Sequence, residues 1–286
     1  MAICLANACG VLCMIFTYLF VAFAEYALVL HIALPNYSSG PWAVIHTAAF
    51  NVLVLMLIVA HVRAATADPG FVSLPHTAID FSDIRSSPRN KAEKSHEEWT
   101  VCNPCEAYRP PRAHHCSVCG RCVRKMDHHC PWINNCVGEL NQRHFIQFLF
   151  YTALCCVYSA TLVVVTWLRD HMGSGEEVLI NHKTLTFAIL LFIESLLFGI
   201  FTFVVFYDQV GITIILPFHV ASVLEDETAV EHAMRRRGSR HTRPHRTRRA
   251  LLQDVFGRGH IVCWLFPCNA LPIMASNHSP LSEFGV

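Results

Sequence analysis

The chain has 286 residues, 53% of them hydrophobic and 15% charged, with a formal net charge of +1. Soluble domains carry about 25% charged residues, so this composition argues against an ordinary soluble domain and for a membrane protein. The 14 cysteines are clustered at metal-type spacing, which argues against a disulfide framework and suits the reducing cytosol.

Taken in chain order, residues 1–10 carry no charged side chain and are expected to form a cytosolic N-terminus. Residues 11–34 are apolar and exceed the ~20 residues a bilayer span needs. With no basic n-region and so long an apolar run, a signal peptide is disfavoured. Glu25 lies inside this span. An intramembrane acid is a functional hypothesis by default, weighed against a carboxyl that is paired in the bundle or reaches the interface. Pro35 to Pro41 reads as a tight turn, and residues 42–62 as a second span, so residues 11–62 form a hairpin. Asn36-Tyr37-Ser38 is a glycosylation sequon in that turn, too close to the membrane to be modified.

Residues 63–144 form a polar loop, opened by the turn signal Asp68-Pro69-Gly70, with the polar composition expected of a mobile linker over 84–98 and a cysteine-rich module over about 100–144. The module holds Cys102, Cys105, Cys116, Cys119, Cys122, Cys130 and Cys136, with His114, His115, His128 and His129 among them. A shift of fourteen residues maps Cys102 onto Cys116, Cys105 onto Cys119, His115 onto His129 and Cys122 onto Cys136. Each set reads Cys-x2-Cys-x9-His-x6-Cys, the three-cysteine, one-histidine complement that structural zinc prefers. One ligand set is therefore Cys102, Cys105, His115 and Cys122, and the other is Cys116, Cys119, His129 and Cys136. Cys130 is in phase with Cys116 and opens a third copy, but Ile133 and Arg143 stand where its next ligands should be. A thiol left without a metal set, directly after Asp127-His128-His129, is a candidate nucleophile.

Residues 145–216 are expected to form a second transmembrane hairpin, with spans over about 145–168 and 185–207. Residues 217–286 are then a tail, with an acidic patch (Glu225, Asp226, Glu227) followed by an arginine run from Arg235 to Arg249 suited to anionic headgroups. The cysteine loop holds eleven Lys/Arg and the tail nine, against none in the first turn and two in the other short loop. The positive-inside rule puts the cysteine loop, the tail and both termini in the cytosol. The expected fold is an all-α polytopic membrane protein: four transmembrane helices, with a cytosolic double-zinc domain between the second and third.

The chemistry follows from Cys130. A free thiol has a pKa near 8.5 and needs help to ionise at neutral pH. His128 could take the proton, and Asp127 could hold the imidazole in the useful tautomer. With every zinc ligand supplied by protein, zinc here is structural.

Asp127-His128-His129-Cys130 in this frame resembles the DHHC family of protein S-acyltransferases (palmitoyltransferases). The resemblance extends to Arg109-Pro110-Pro111-Arg112, His115-Cys116, Cys130-Pro131-Trp132, Asn134-Asn135-Cys136-Val137-Gly138 and Asn141-Gln142-Arg143-His144-Phe145. It also covers the four spans and Asp68-Pro69-Gly70. It implies that Cys130 attacks the thioester of a long-chain acyl-CoA such as palmitoyl-CoA, becomes S-acylated, and passes the acyl group to a cysteine of a membrane-associated protein in a ping-pong scheme. It also implies that Trp132 contacts the acyl thioester. Phe145 and Phe148 would line an apolar acyl pocket, and Cys155, higher on the third span, would help set chain length. Arg121, Arg124 and Lys125 are candidates for the phosphates of CoA. Cys4, Cys9, Cys13, Cys263 and Cys268 lie near membrane ends, where they could be acylated or remain free thiols.

Two departures stand out. The family's Thr-Thr-x-Glu element appears as Thr228-Ala229-Val230-Glu231, and Leu251 replaces a usual asparagine before Val255-Phe256-Gly257. Both are expected to weaken docking of the tail on the core. The competing classes are an inactive zinc-stabilised membrane scaffold and a membrane-anchored RING-type ubiquitin ligase, whose ligand order differs and which gives Cys130 no role. The expected partners are membrane-associated proteins with cytosolic cysteines and the lipid bilayer, with no nucleic acid. The Golgi is the expected address by analogy.

Overall fold

The computed structural model of the chain describes residues 7–37, 40–74, 99–172, 185–186, 188–193, 196, 223–236 and 246–267. Among these, three helical segments are long and apolar enough to cross a membrane: Ala8–Asn36, Trp42–Thr66 and Gln142–Arg169. Most of the expected fourth span lies outside the described residues, and 185–186, 188–193 and 196 within it are helical.

The first segment comprises α1 (Ala8–Tyr26), a π-helical stretch (Ala27–Ala33) and a last turn (Leu34–Asn36). Pro35 therefore ends a helix instead of starting the turn. In a regular α-helix its ring would meet the carbonyl four residues back, and the wider π register just before it relieves that clash. The second helix, α2 (Trp42–Thr66), runs four residues past the expected 62. It stops before Pro69, because the residue preceding a proline is driven out of the helical region. Asp68 then closes the turn, its Oδ1 accepting from the backbone N–H groups of Gly70 (2.8 Å) and Phe71 (2.9 Å). The third helix, α3 (Gln142–Met172), begins three residues earlier than expected and takes in Arg143 and His144.

The core is the seam between α2 and α3. On α2 the buried positions Ala43, Phe50, Val54, Leu57, His61 and Ala64 recur every three, four or seven residues on one face. On α3, Phe145, Phe148, Cys155, Leu162 and Thr166 do the same. Small residues at Ala60 and Ala64 let the backbones approach closely, as packing within a membrane requires. At the far end of the bundle from the cysteine module, the Tyr37 hydroxyl meets Thr166 Oγ1 at 3.2 Å.

Apart from a 3-10 turn at Asn103–Cys105, the regular structure of the cysteine module is β, so the all-α expectation holds for the membrane segments and not for the module. It contains three antiparallel hairpins: β1 (Thr100–Cys102) with β2 (Ala107–Arg109), β3 (His114–Cys116) with β4 (Arg121–Val123), and β5 (His128–Cys130) with β6 (Asn135–Val137). Their registers superimpose after a fourteen-residue shift: Cys102 faces Ala107, Cys116 faces Arg121, and Cys130 faces Asn135. Each turn ends on a left-handed residue, Glu106 (φ 47°), Gly120 (φ 65°) or Asn134 (φ 46°). The sequence repeat is thus a hairpin repeat. Strands three residues long show no alternation that a reading of polarity could detect.

Asparagines fasten this module to the membrane helices. Asn135 Nδ2 donates to the carbonyls of Ala64, Ala65 and Ala67, and Asn141 Nδ2 to those of Ala64 and Cys136. The last carbonyls of a helix have no partner inside it, so these two amides cap α2. Gly138 makes the close approach possible, since a Cβ there would lie 2.4 Å from the Pro69 carbonyl oxygen.

Candidate active site and metal centres

Two ligand sets emerge from the hairpins, each with its donor atoms within 4.8 Å of one another: Cys102, Cys105, His115 and Cys122, and Cys116, Cys119, His129 and Cys136. The first hairpin supplies the Cys-x2-Cys pair of the first set, and His115 and Cys122, opposite each other on the second hairpin, complete it. The second and third hairpins repeat the arrangement with His129 opposite Cys136. Each set thereby staples consecutive hairpins together.

The donors fit a tetrahedral zinc. Bonds of about 2.3 Å to sulfur and about 2.0 Å to nitrogen put neighbouring donors about 3.5–3.8 Å apart. In the first set Cys102 Sγ lies 3.6 Å from His115 Nδ1, Cys105 Sγ 3.1 Å from the same atom, and Cys122 Sγ 3.8 Å from Cys105 Sγ. In the second, Cys119 Sγ lies 3.3 Å from His129 Nδ1 and 3.4 Å from Cys136 Sγ, and Cys136 Sγ lies 3.7 Å from His129 Nδ1. Crowding divides the protons unequally. Hydrogen bonds from Cys119 and Cys136 pull the Cys116 thiol far down, while those with Cys116 and Cys119 push Cys136 far up. Such closely set sulfurs call for a cation that replaces their protons.

The third hairpin places Cys130 where the first two hold Cys102 and Cys116, and Ile133 where they hold Cys105 and Cys119. Ile133 is fully buried, so the third turn closes on an apolar side chain instead of a ligand. Cys130 is itself buried, in one cluster with Phe145, Phe148, Cys155 and, at its edge, Trp132. The same cluster runs along the membrane helices as far as Tyr37 and Leu162, so Phe145, Phe148 and Cys155 all belong to the buried seam of the bundle.

Beside the thiol, His128 Nδ1 lies 2.9 Å from Asp127 Oδ2, and the imidazole also reaches Cys130 in a side-chain hydrogen bond. Burial disfavours charge on this ring, but the hydrogen bonds and charges of Asp127 and Cys130 outweigh it and push the His128 pKa up to about 10. The ring of Phe145 meets His128 edge-on, with centroids 5.3 Å apart. The second oxygen of Asp127 accepts from the backbone N–H of Ala229 at 2.7 Å. Ala229 opens helix α4 (Ala229–Arg236), so the carboxylate sits at a helix N-terminus, which favours negative charge.

That contact corrects the expectation of a weakened tail. Thr228 and Glu231 form a capping box: Thr228 N–H donates to Glu231 Oε2 at 2.8 Å, and Glu231 N–H to Thr228 Oγ1 at 3.3 Å. Arg112 then grips both Glu231 and Asp226. Burial alone would lower the Arg112 pKa, but Glu231 and Asp226 raise it. Position 229 acts through its backbone, so alanine serves where the family motif has threonine. In helix α5 (Arg248–Phe256), Leu251 is buried against Ile146 and Val223 and replaces a polar anchor with an apolar one.

Of the basic residues considered for CoA phosphates, Arg121 stacks over Phe71 (4.5 Å), while Arg124 and Lys125 share Glu139 at 3.4 and 2.8 Å. Sequence reasoning missed His61. It is fully buried, its Nε2 lies 3.0 Å from the Trp132 carbonyl, and its Nδ1 lies 2.9 Å from the Tyr18 hydroxyl. A carbonyl only accepts, so Nε2 carries the proton. The available signal was an ionisable side chain inside an apolar span.

The sequence is similar to those of known proteins. A family model described as DHHC palmitoyltransferase matches residues 95–235. The chain is 33% identical to palmitoyltransferase ZDHHC7 of Mus musculus over 265 residues, 91% of this chain and 79% of that protein. It is 33% identical to palmitoyltransferase ZDHHC3-A of Danio rerio over 281 residues, 97% of this chain and 82% of that protein. It is also 33% identical to palmitoyltransferase ZDHHC3 of Homo sapiens over 266 residues, 91% of this chain and 81% of that protein.

Proposed function

The chain belongs to the DHHC palmitoyltransferase family, and from that premise we propose that it transfers a long-chain acyl group from acyl-CoA, through an acyl-Cys130 intermediate, to cysteines of membrane-associated proteins. The observation that carries this reading is the line Asp127 Oδ2, His128 Nδ1, His128 ring and Cys130 thiol. His128 takes the thiol proton, and Asp127 fixes the ring and offsets its positive charge. The Cys130 thiolate attacks the thioester carbonyl. A C–S bond to Cys130 forms, the C–S bond to CoA breaks, and CoA leaves as a thiol with the proton from His128. In the second half an acceptor cysteine gives its proton to His128 and attacks the acyl carbonyl; a C–S bond to the acceptor forms, the C–S bond to Cys130 breaks, and the Cys130 thiolate takes back the proton from His128. One thioester replaces another at each step, so no energy input is required.

Burial of Phe145, Phe148 and Cys155 in the apolar cluster that also holds Cys130, with Trp132 at its edge, supports a pocket lined by the two phenylalanines, a chain-length role for Cys155 and a thioester contact for Trp132. Palmitoyl-CoA is the expected co-substrate. Two zinc ions would be held by the two ligand sets and would supply rigidity to the hairpins on either side of Cys130. The excess of Lys/Arg in the cysteine loop and tail supports a cytosolic active site, and we assign the protein to an endomembrane, with the Golgi first.

The test is incubation of the purified protein with a palmitoyl-CoA analogue. Wild type should acquire a hydroxylamine-sensitive label and Cys130→Ser should not. Equal labelling of the two proteins would refute the assignment of Cys130.

A further inference from the structure

We propose that the segment Ile261–Phe266 is a strap that docks into the headgroup–acyl boundary of the bilayer, alongside the first turns of α3. This is independent of the acyl-transfer reading. The segment comprises the short helix α6 (Ile261–Leu265) and Phe266. Its backbone faces inward. Arg143 Nη2 donates to the carbonyls of Cys263 (2.9 Å) and Phe266 (3.3 Å). Gln147 Nε2 donates to those of Trp264 (2.7 Å) and Phe266 (3.2 Å), and the Tyr151 hydroxyl to that of Leu265 (2.8 Å). Arg143, Gln147 and Tyr151 follow one another at four-residue steps, so they form one stripe of α3, and all three are buried. They take up the last carbonyls of α6, which have no partner within that helix.

Its side chains face the other way. Ile261 is 67% exposed, Val262 53%, Leu265 44% and Phe266 50%. A backbone satisfied from within and an apolar exterior are what hydrocarbon demands of any non-spanning segment. In water the same face would be a liability.

Depth agrees with this. Arg143 and Tyr151 are eight residues apart, about 12 Å along a helix. The apolar span that begins at Gln142 is 28 residues long, or about 42 Å, close to the whole bilayer with its headgroups. The first 12 Å of α3 therefore pass through the headgroup layer and the outermost hydrocarbon, and the strap lies at that depth. Trp264 suits such an interface: its ring stacks on Phe256 at 5.4 Å, and its Nε1 donates to Gly257 O. Arg246, Arg248 and Arg249, just upstream and exposed, suit anionic headgroups. The other candidate occupant of the apolar face is a second copy of the chain. The strap would return the tail to the membrane and brace α4 and α5 against the module.

The test places a diazirine-bearing amino acid at Val262 of the full chain in nanodiscs of phosphatidylcholine and phosphatidylserine, with a control at exposed Arg258. After irradiation, mass spectrometry should find lipid adducts dominating at Val262 and water adducts at Arg258. Water adducts alone at Val262, or cross-links to a second chain without lipid adducts, would overturn the proposal.

Discussion

Arg112 and Glu231 are joined by two hydrogen bonds, Nε to Oε1 at 2.9 Å and Nη2 to Oε2 at 3.2 Å, across 119 residues of sequence. Glu231 is almost fully buried and also caps the helix whose first N–H holds Asp127. Glu231→Ala leaves Arg112 with Asp226 alone and removes half of the capping box. A hydrogen bond to a charged group contributes about 1.5–3 kcal/mol, so losing the Ala229–Asp127 contact should slow acylation of Cys130 about 10- to 100-fold. Labelling kinetics measure this, and zinc content should stay unchanged. An unaltered rate would mean that the tail does not support the site.

Asp127 uses its two oxygens for two different donors, Oδ1 for Ala229 N and Oδ2 for His128 Nδ1. Asp127→Asn has a single acceptor oxygen and must turn its amide N–H groups on one of them. The expected outcome is a loss of about 10²-fold or more in the rate of acyl-Cys130 formation, the usual range for an impaired general base. Rapid-quench measurement of the label checks it. The buried carboxylate belongs to neither ligand set, so metal content is the control.

The metal sets should not be equivalent. His129 and Cys136 pair across the hairpin that carries Cys130, whereas Cys105 is two hairpins away. Wild type should hold about two zinc ions per chain, and Cys136→Ser and Cys105→Ser about one each. Labelling of Cys130 should be abolished in Cys136→Ser and only reduced in Cys105→Ser. Elemental analysis and labelling of the same samples decide it. Equal loss of labelling in both variants would mean that the three hairpins fold as one unit.

What the sequence disclosed depended on whether a feature acts through side-chain identity. The ligand sets were legible because zinc fixes residue type and spacing, and the same count left Cys130 free. The hairpins were hidden, since three-residue strands closed by left-handed turns carry no periodic signal. The docking of the tail was misread because Ala229 contributes a backbone N–H, which no side-chain comparison detects, and because Leu251 answers Ile146 and Val223 by packing. Pro35 looked like a turn residue until the π-helical stretch before it made room for its ring. The strap was equally invisible. Its hydrogen bonds to α3 are accepted by its backbone carbonyls, and those donors lie more than a hundred residues away.

His61 connects α1, α2 and the loop after the nucleophile, through the Tyr18 hydroxyl on one side and the Trp132 carbonyl on the other. It also meets Phe148 edge-on, with centroids 5.0 Å apart, so it holds Trp132 while supporting a wall of the expected acyl pocket. His61→Phe keeps the ring but leaves the Trp132 carbonyl without its donor, a cost of about 1–3 kcal/mol when the group is buried. Tyr18→Phe removes only the hydroxyl behind the histidine and leaves the Nε2 donor in place. Acylation of Cys130 should therefore fall about 5- to 100-fold in His61→Phe, less in Tyr18→Phe, and recover in part in His61→Gln, whose amide can donate to the same carbonyl. If the effect were only structural, His61→Gln and His61→Phe would lose activity together with thermal stability. If Trp132 is positioned through this bond, the rate should separate the two variants even where their melting temperatures agree.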